Sequence, residues 1–174
     1  MDARLASFLV DLSGLSDKDA EQLVFQKYVE LYLDRGRPPR RIGIRKTHDG
    51  TNVKFGESRY DHAFYTFAES TSRKYAKDKF DRLRGERVAW IGPVVAGEIE
   101  GTECWIGPPK NGRRDVRSRA PNRFYIVPSE RYNVWLEPTR DGGWWFSSAY
   151  VAGFGDIRRY CRIGRQIWAQ KNIP

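Results

Sequence analysis

RFYIVPSERYNVWLEPTRDGGWWFSSAY, residues 123–150, holds three strand-like runs separated by two turns. Arg123 to Val127, Tyr132 to Leu136 and Trp144 to Tyr150 are short runs of aromatic and β-branched residues, the composition of a half-buried pleated surface. Pro128-Ser129-Glu130 separates the first two runs, and Thr139 to Gly143 separates the last two, both with the chemistry of tight turns. Upstream, Thr102 to Ile106 has the same composition, joined to Arg123 by the loop Gly107 to Asn122. Four consecutive strands predict an antiparallel meander.

Outward from it, the pattern turns helical. Ser16 can cap a helix to Asp34, with Asp17 and Asp19 at its positive end and Ala20, Leu23, Val24, Tyr28 and Leu31 at helical spacing. Gly36 and the pair Pro38, Pro39 stop it. The next segment is Arg-rich and punctuated by Gly and Pro, and leads into a small hairpin at Ile42 to Ile44 and Val53 to Phe55 with His48-Asp49-Gly50 near its turn. From Asp61 to Val95 helical spacing returns in Ala76, Phe80 and Leu83, then Val88, Ile91 and Val95, which reads as one long helix or two consecutive ones with a break at Pro93. Asp156 to Ala169 is a final amphipathic helix. The fold class expected is therefore α+β, with N-terminal helices packed on a four-stranded antiparallel β-sheet and a C-terminal helix. Residues 1–40 form an N-terminal helical region and 41–174 the main domain; the first part is too short to bury a core alone and is expected to pack on the second as one compact unit.

With 40% hydrophobic and 14% aromatic residues, the 174-residue chain can fill a core, which excludes wholesale disorder. No apolar run is long enough for a membrane span, and the opening residues carry no secretory signal, so a cytoplasmic protein is expected. Cys104 and Cys161 suggest neither a disulfide framework nor a zinc cluster, and with His48 and His62 they make no ligand spacing, so no metal is expected. A phosphate-binding loop or dinucleotide fingerprint is also missing, so no cofactor is expected. The net charge is +9, but residues 1–34 carry −4 and residues 35–174 carry +13, and 22 of the 31 basic residues are Arg. A planar guanidinium meets phosphate bidentately and stacks on bases. The excess exceeds what solubility needs and points to a nucleic-acid partner.

In a basic protein without metal ligands, the reaction that needs least is cleavage of RNA by its own 2′-hydroxyl. One group takes the 2′-OH proton, one donates to the leaving 5′-oxygen, and cationic groups hold the charge on phosphorus. Only two histidines are available. His62 stands at the start of a helical segment beside Arg59, Tyr60 and Glu69, as a base or as a surface cap. His48, in KTHDG, is the second choice and could equally decorate a turn. Arg84 and Arg87 could bind phosphate or make structural ion pairs. The loop bearing Lys110, Arg113, Arg114, Arg117 and Arg119 would track an RNA backbone, or be a solvated charge run. On the last strand Phe146, Ser148 and Tyr150 should share one face, and Trp145, Ser147 and Ala149 the other.

The order DHAFY, KFDRLRGERVAWIGPVV, RFYIV, YNVWL, WWFSSAY resembles the phage-encoded branch of the barnase, EndoU, colicin and RelE-like nucleases, the BECR fold. The matching positions are Arg84, Arg87, Trp90, Ile91 and Pro93 of an R-x-x-R-x-x-W-I-x-P pattern, and Ser148-Ala149-Tyr150 where the family more often has T-A-Y. The resemblance covers residues 60–152. It implies a metal-independent, toxin-like endoribonuclease acting on tRNA or other structured RNA, with a cognate immunity or antitoxin protein as a partner. It also implies His62 as general base or acid, Arg87 as phosphate clamp, and Ser148 and Tyr150 as further catalytic residues. Two other readings stand beside it. One is a non-catalytic RNA- or DNA-binding module. The other is an ADP-ribosyltransferase, suggested by Ser70-Thr71-Ser72 and Glu98-Ile99-Glu100, although here the serine motif falls in a helical run and lies close to the acidic pair.

Overall fold

The computed structural model describes residues 3–66, 79–107 and 121–170. In chain order the elements are α1 (Ala3–Ser7), α2 (Asp17–Tyr32), β1 (Ile42–Lys46), β2 (Asn52–Gly56), α3 (Tyr60–Phe64), β3 (Tyr65–Thr66), β4 (Lys79–Phe80), α4 (Arg82–Gly85), α5 (Ile91–Val95), β5 (Glu103–Gly107), β6 (Asn122–Val127), β7 (Tyr132–Pro138), β8 (Trp144–Val151), α6 (Phe154–Ile163) and β9 (Arg165–Ala169).

The expected helix at the N-terminus forms as α2. The Ser16 hydroxyl accepts from the Asp19 amide at 3.2 Å, and Asp17 and Asp19 occupy the first turn. Ala20, Val24, Tyr28 and Tyr32, each four residues from the last, bury one stripe. The Tyr28 hydroxyl donates to the Gly56 carbonyl at 3.1 Å and that of Tyr32 to the Val88 carbonyl at 2.8 Å, so the phenols anchor the helix while their rings fill the core. These side chains share one apolar cluster with Val53, Phe55, Tyr125, Val134, Leu136 and Phe146, which ties residues on both sides of position 40 into the same core.

The four predicted strands are β5 to β8, paired antiparallel as a meander. The four-stranded, wholly antiparallel sheet is nonetheless a misreading. The sheet has seven strands in the order β1-β2-β8-β7-β6-β5-β9 and is mixed, because β2 runs parallel to β8 at Val53↔Trp144 and Lys54↔Trp145; β3 and β4 form a separate two-stranded sheet. Local composition carries no sign of the β2–β8 contact, which joins distant segments. The additional edge strand β9 was hidden for another reason. Ile163 and Ile167 sit at helical spacing, but Gly164 takes an extended conformation (φ −95°, ψ 168°) that ends α6 and starts the strand.

The helical reading of 61–95 is also corrected. Short pieces replace it, because Asp81 accepts from the Arg84 amide and so caps a new helix, α4. Pro93 lies in the first turn of α5, where its missing N–H is not needed, and breaks nothing. The residues between β3 and β4, including Ala76, lie outside the described residues.

One face of the sheet carries α2, α3 and α5. The other carries α6, whose Ile157, Tyr160 and Cys161 pack on Phe124, Ile126 and Trp135. The pairing of β7 with β8 shifts register between Trp135↔Ser148 and Leu136↔Phe146, leaving Ser147 as a bulge. Ser148 and Tyr150 therefore share the α6 face, as their spacing predicts, while Phe146 turns to the opposite core.

Candidate acid–base site

The chemistry-bearing side chains gather in two places, one over β9, β5 and β6 and one at the Tyr150 end of β8. At the first, three strands lay down two cross-strand rows, whose register continues through β7 to Ala149 and Phe146 of β8. Trp168, Cys104 and Tyr125 are in register across β9, β5 and β6, and Arg165, Ile106 and Arg123 form the neighbouring row. Residues directly opposite one another in a sheet share a face, so both rows present side chains to the side carrying the main core.

The turn between β1 and β2 covers the first row. Strand order places β8 and β7 between β2 and β6, so residues 47–51 must lean across the sheet to arrive there. The turn is built by its own residues: the Thr47 amide donates to the Thr51 carbonyl at 2.9 Å, Asp49 accepts from the Thr51 amide at 3.2 Å and from the Thr47 hydroxyl, and Gly50 supplies φ +77°. The His48 amide donates to the Val95 carbonyl at 2.9 Å. Its imidazole stacks on Trp168 at 4.2 Å and 25°, and Nδ1 lies 2.8 Å from the Tyr125 hydroxyl oxygen. Gly97 is needed beside this stack: at φ +72° a Cβ there would come within 2.7 Å of Trp168 and 2.9 Å of the His48 Cβ.

Asp49 also holds Arg123, with 2.9 Å between Nη1 and Oδ2, and the guanidinium lies over the Trp144 ring at 4.6 Å. With its side chain 10% exposed, Arg123 is a nearly buried cation and requires this partner. Arg165, in the same row, is exposed and makes no ion pair among the described residues.

These surroundings set the proton affinities. Burial lowers the His48 pKa below its ordinary value; Asp49 acts against this and the Arg123 charge reinforces it. Burial opposes ionisation of Asp49, but hydrogen bonds from Thr47 and Thr51 and the charge of Arg123 outweigh it and hold the carboxyl below its usual range. Burial raises the Tyr125 phenol and pushes the Cys104 thiol up to about 11, so both keep their protons at neutral pH. Cys104 is thus a packing residue rather than a thiolate nucleophile.

The Tyr150 end of β8 holds most of the residues carried over from the family resemblance. The Arg84 guanidinium lies over the Tyr150 ring at 5.2 Å, donates to the Ala63 carbonyl at 3.1 Å and pairs with Asp81 at 3.0 Å. His62, next to Ala63, is exposed on α3. The Tyr150 and Tyr160 hydroxyls are 3.1 Å apart, and Ser148 is 1% exposed. Arg87 is turned inward: it donates to the Leu83 carbonyl at 2.8 Å, pairs with Glu86 at 3.4 Å and lies over Trp90 at 5.0 Å. α3 packs on β8, whereas the His48 ring stacks on Trp168 of β9, four strands away; at about 4.8 Å per strand that is roughly 19 Å, so His48 and His62 belong to different places.

Lys110, Arg113, Arg114, Arg117 and Arg119 lie outside the described residues, as do Ser70 to Ser72. Glu98 pairs with Arg4 at 2.9 Å. Among the described residues no group of three His, Cys, Asp or Glu side chains could hold a metal ion, and no helix is long and apolar enough to cross a membrane.

Reasoning from sequence missed Asp49, Arg123, Tyr125 and Trp168 around His48, with Trp144 against Arg123 and Arg165 in the Arg123 row. The available signal was Arg123, a charge in an otherwise apolar strand, which demands a buried partner. Compared with protein-family models, with curated proteins and with solved structures, the chain matches none.

Proposed function

We propose that the chain is a metal-independent endoribonuclease acting on tRNA or other structured RNA, with His48 as its acid–base group. One observation carries this reading: a half-buried imidazole is fixed at Nδ1 by Tyr125 and by stacking on Trp168, and its surroundings keep it unprotonated at neutral pH. With Nδ1–H donating to the Tyr125 oxygen, the lone pair of Nε2 is the base, and the same hydrogen bond persists once the ring is protonated. The 2′-OH gives its proton to Nε2 as its oxygen attacks phosphorus. The P–O5′ bond breaks, and the leaving oxygen takes a proton from solvent. The products are a 2′,3′-cyclic phosphate and a 5′-hydroxyl. Arg165, exposed and without an ion pair among the described residues, would bind the phosphate; Arg123 orders the turn through Asp49. The cytoplasm, where such RNA is found, is the corresponding compartment, and an immunity or antitoxin protein is a fitting partner.

A non-catalytic RNA-binding module is the second reading. It is favoured by the Arg123–Asp49 pair, which leaves less cationic charge for phosphate at this site. Incubation of the full chain with tRNA and total RNA in excess EDTA separates the two. The nuclease reading expects cleavage without metal and new ends bearing 2′,3′-cyclic phosphate. Intact RNA with tight, salt-sensitive binding supports the module.

A further inference from the structure

We propose that the outer stripe of α6, formed by Phe154, Arg158 and Arg162 with Arg131 beside it, binds single-stranded RNA that passes round the β9 edge of the sheet to the His48 site on the opposite face. The proposal rests on the reading of RNA as substrate and adds the class it prefers: RNA with an unpaired segment next to the scissile bond.

Four-residue spacing places Phe154, Arg158 and Arg162 above one another on one side of the helix. Ile157, Tyr160 and Cys161 occupy the side that packs on the sheet. Phe154 is 69% exposed, the most exposed large apolar side chain among the described residues. The Arg131 guanidinium lies 4.8 Å from its ring centroid, leaving an aromatic ring flanked by cations at the surface. Arg158 and Arg162 are both exposed, and neither makes an ion pair or side-chain hydrogen bond among the described residues.

Arg35, Arg37, Arg40 and Arg140 are likewise exposed without an ion pair among the described residues, but of these arginines only Arg158 and Arg162 share an element with an exposed aromatic ring, Phe154. Arg41, Arg45, Arg59, Arg82, Arg84 and Arg123 are held by carboxylates within the fold. A guanidinium without an internal partner is available to a polyanion, and an exposed ring next to such cations is the combination with which proteins hold single strands: backbone on the charges, a base on the aromatic face. The stripe also has a direction. Three residues beyond Arg162 the chain reaches Arg165, in register with Ile106 and Arg123 at the candidate site.

The test uses a fluorescein-labelled 2′-O-methyl oligouridine, which has no 2′-hydroxyl and is not cleaved, titrated with the full chain from low to moderate KCl. Each phosphate contact contributes about 0.7 to the slope of log affinity against log salt for a single strand, so R158Q/R162Q should bind more weakly with a slope shallower by about 1.4. F154A should bind more weakly with an unchanged slope, since stacking releases no counterion. Wild-type affinity and slope in both variants would overturn the proposal. So would unchanged RNA binding combined with lost binding to phosphatidylserine vesicles, which would make the stripe a membrane contact. If the wild-type chain neither binds the oligonucleotide nor cleaves RNA, the RNA reading itself fails. If it cleaves RNA and the variants bind as wild type, only the role of α6 fails.

Discussion

His48 carries a pH dependence that its sequence context does not announce. Burial and Arg123 hold its pKa below the ordinary value near 6.5, so the neutral base persists to lower pH than a solvent-exposed imidazole would allow. Cleavage should therefore stay level from neutrality down through pH 6.5 and fall only as pH drops through the lowered pKa; a rate profile on RNA in EDTA checks this. The same shift is a stability statement. Below pH 6.5 the unfolded chain takes up a proton that the folded chain resists, so this contribution is complete above pH 6.5 and is lost as pH falls through the folded pKa. The urea midpoint should decline across that window in the wild type and less in H48Q. KTHDG is readable as a turn carrying a histidine. What makes the histidine chemically distinct is not readable, because Tyr125 and Trp168 reach it from strands whose register only the assembled sheet defines.

Among the elements, α2 was legible because its signals are local: a capping serine, acids in the first turn and an apolar stripe every fourth residue. The cap makes a definite prediction. S16A removes the acceptor of the Asp19 amide and should lower stability by about 0.5–2 kcal/mol, measured by equilibrium denaturation, without changing RNA cleavage. Strands β5 to β8 were legible for a similar reason, in their composition and turns. The β8 bulge was not, because an extra residue at Ser147 is visible only against the register of β7. Nor was β9, whose isoleucines imitate a helix until Gly164 interrupts it. Both failures matter for the site: the bulge turns Ser148 and Tyr150 away from the core that Phe146 fills, and β9 supplies Trp168 and Arg165 to the His48 rows.

Across the whole molecule, the basic excess beyond residue 34 separates into two populations. Arg41, Arg45 and Arg59, in and beside the β1–β2 hairpin, are structural: Arg41 grips Glu57 with two hydrogen bonds at 3.0 and 3.1 Å, Arg45 binds Asp34, and Arg59 binds Glu137. Arg158, Arg162 and Arg165, at the end of α6 and the start of β9, have no such partners among the described residues, and neither have Arg35, Arg37 and Arg40 ahead of β1 or Arg140 between β7 and β8. Net charge alone indicated a polyanion; pairing indicates where on the fold it would lie. The two histidines divide in the same way, one fixed among aromatic side chains over β6 and β9 and one exposed on α3, which packs on β8. The first of these places is the proposed site of RNA cleavage. Single-turnover cleavage of tRNA in EDTA by H48Q and H62Q tests it most directly. General acid–base groups contribute about 10²- to 10⁴-fold, so H48Q should lose that much while H62Q stays within a few-fold of wild type. A large loss in H62Q with H48Q near wild type would contradict the account and move the site to the Tyr150 end of the strand.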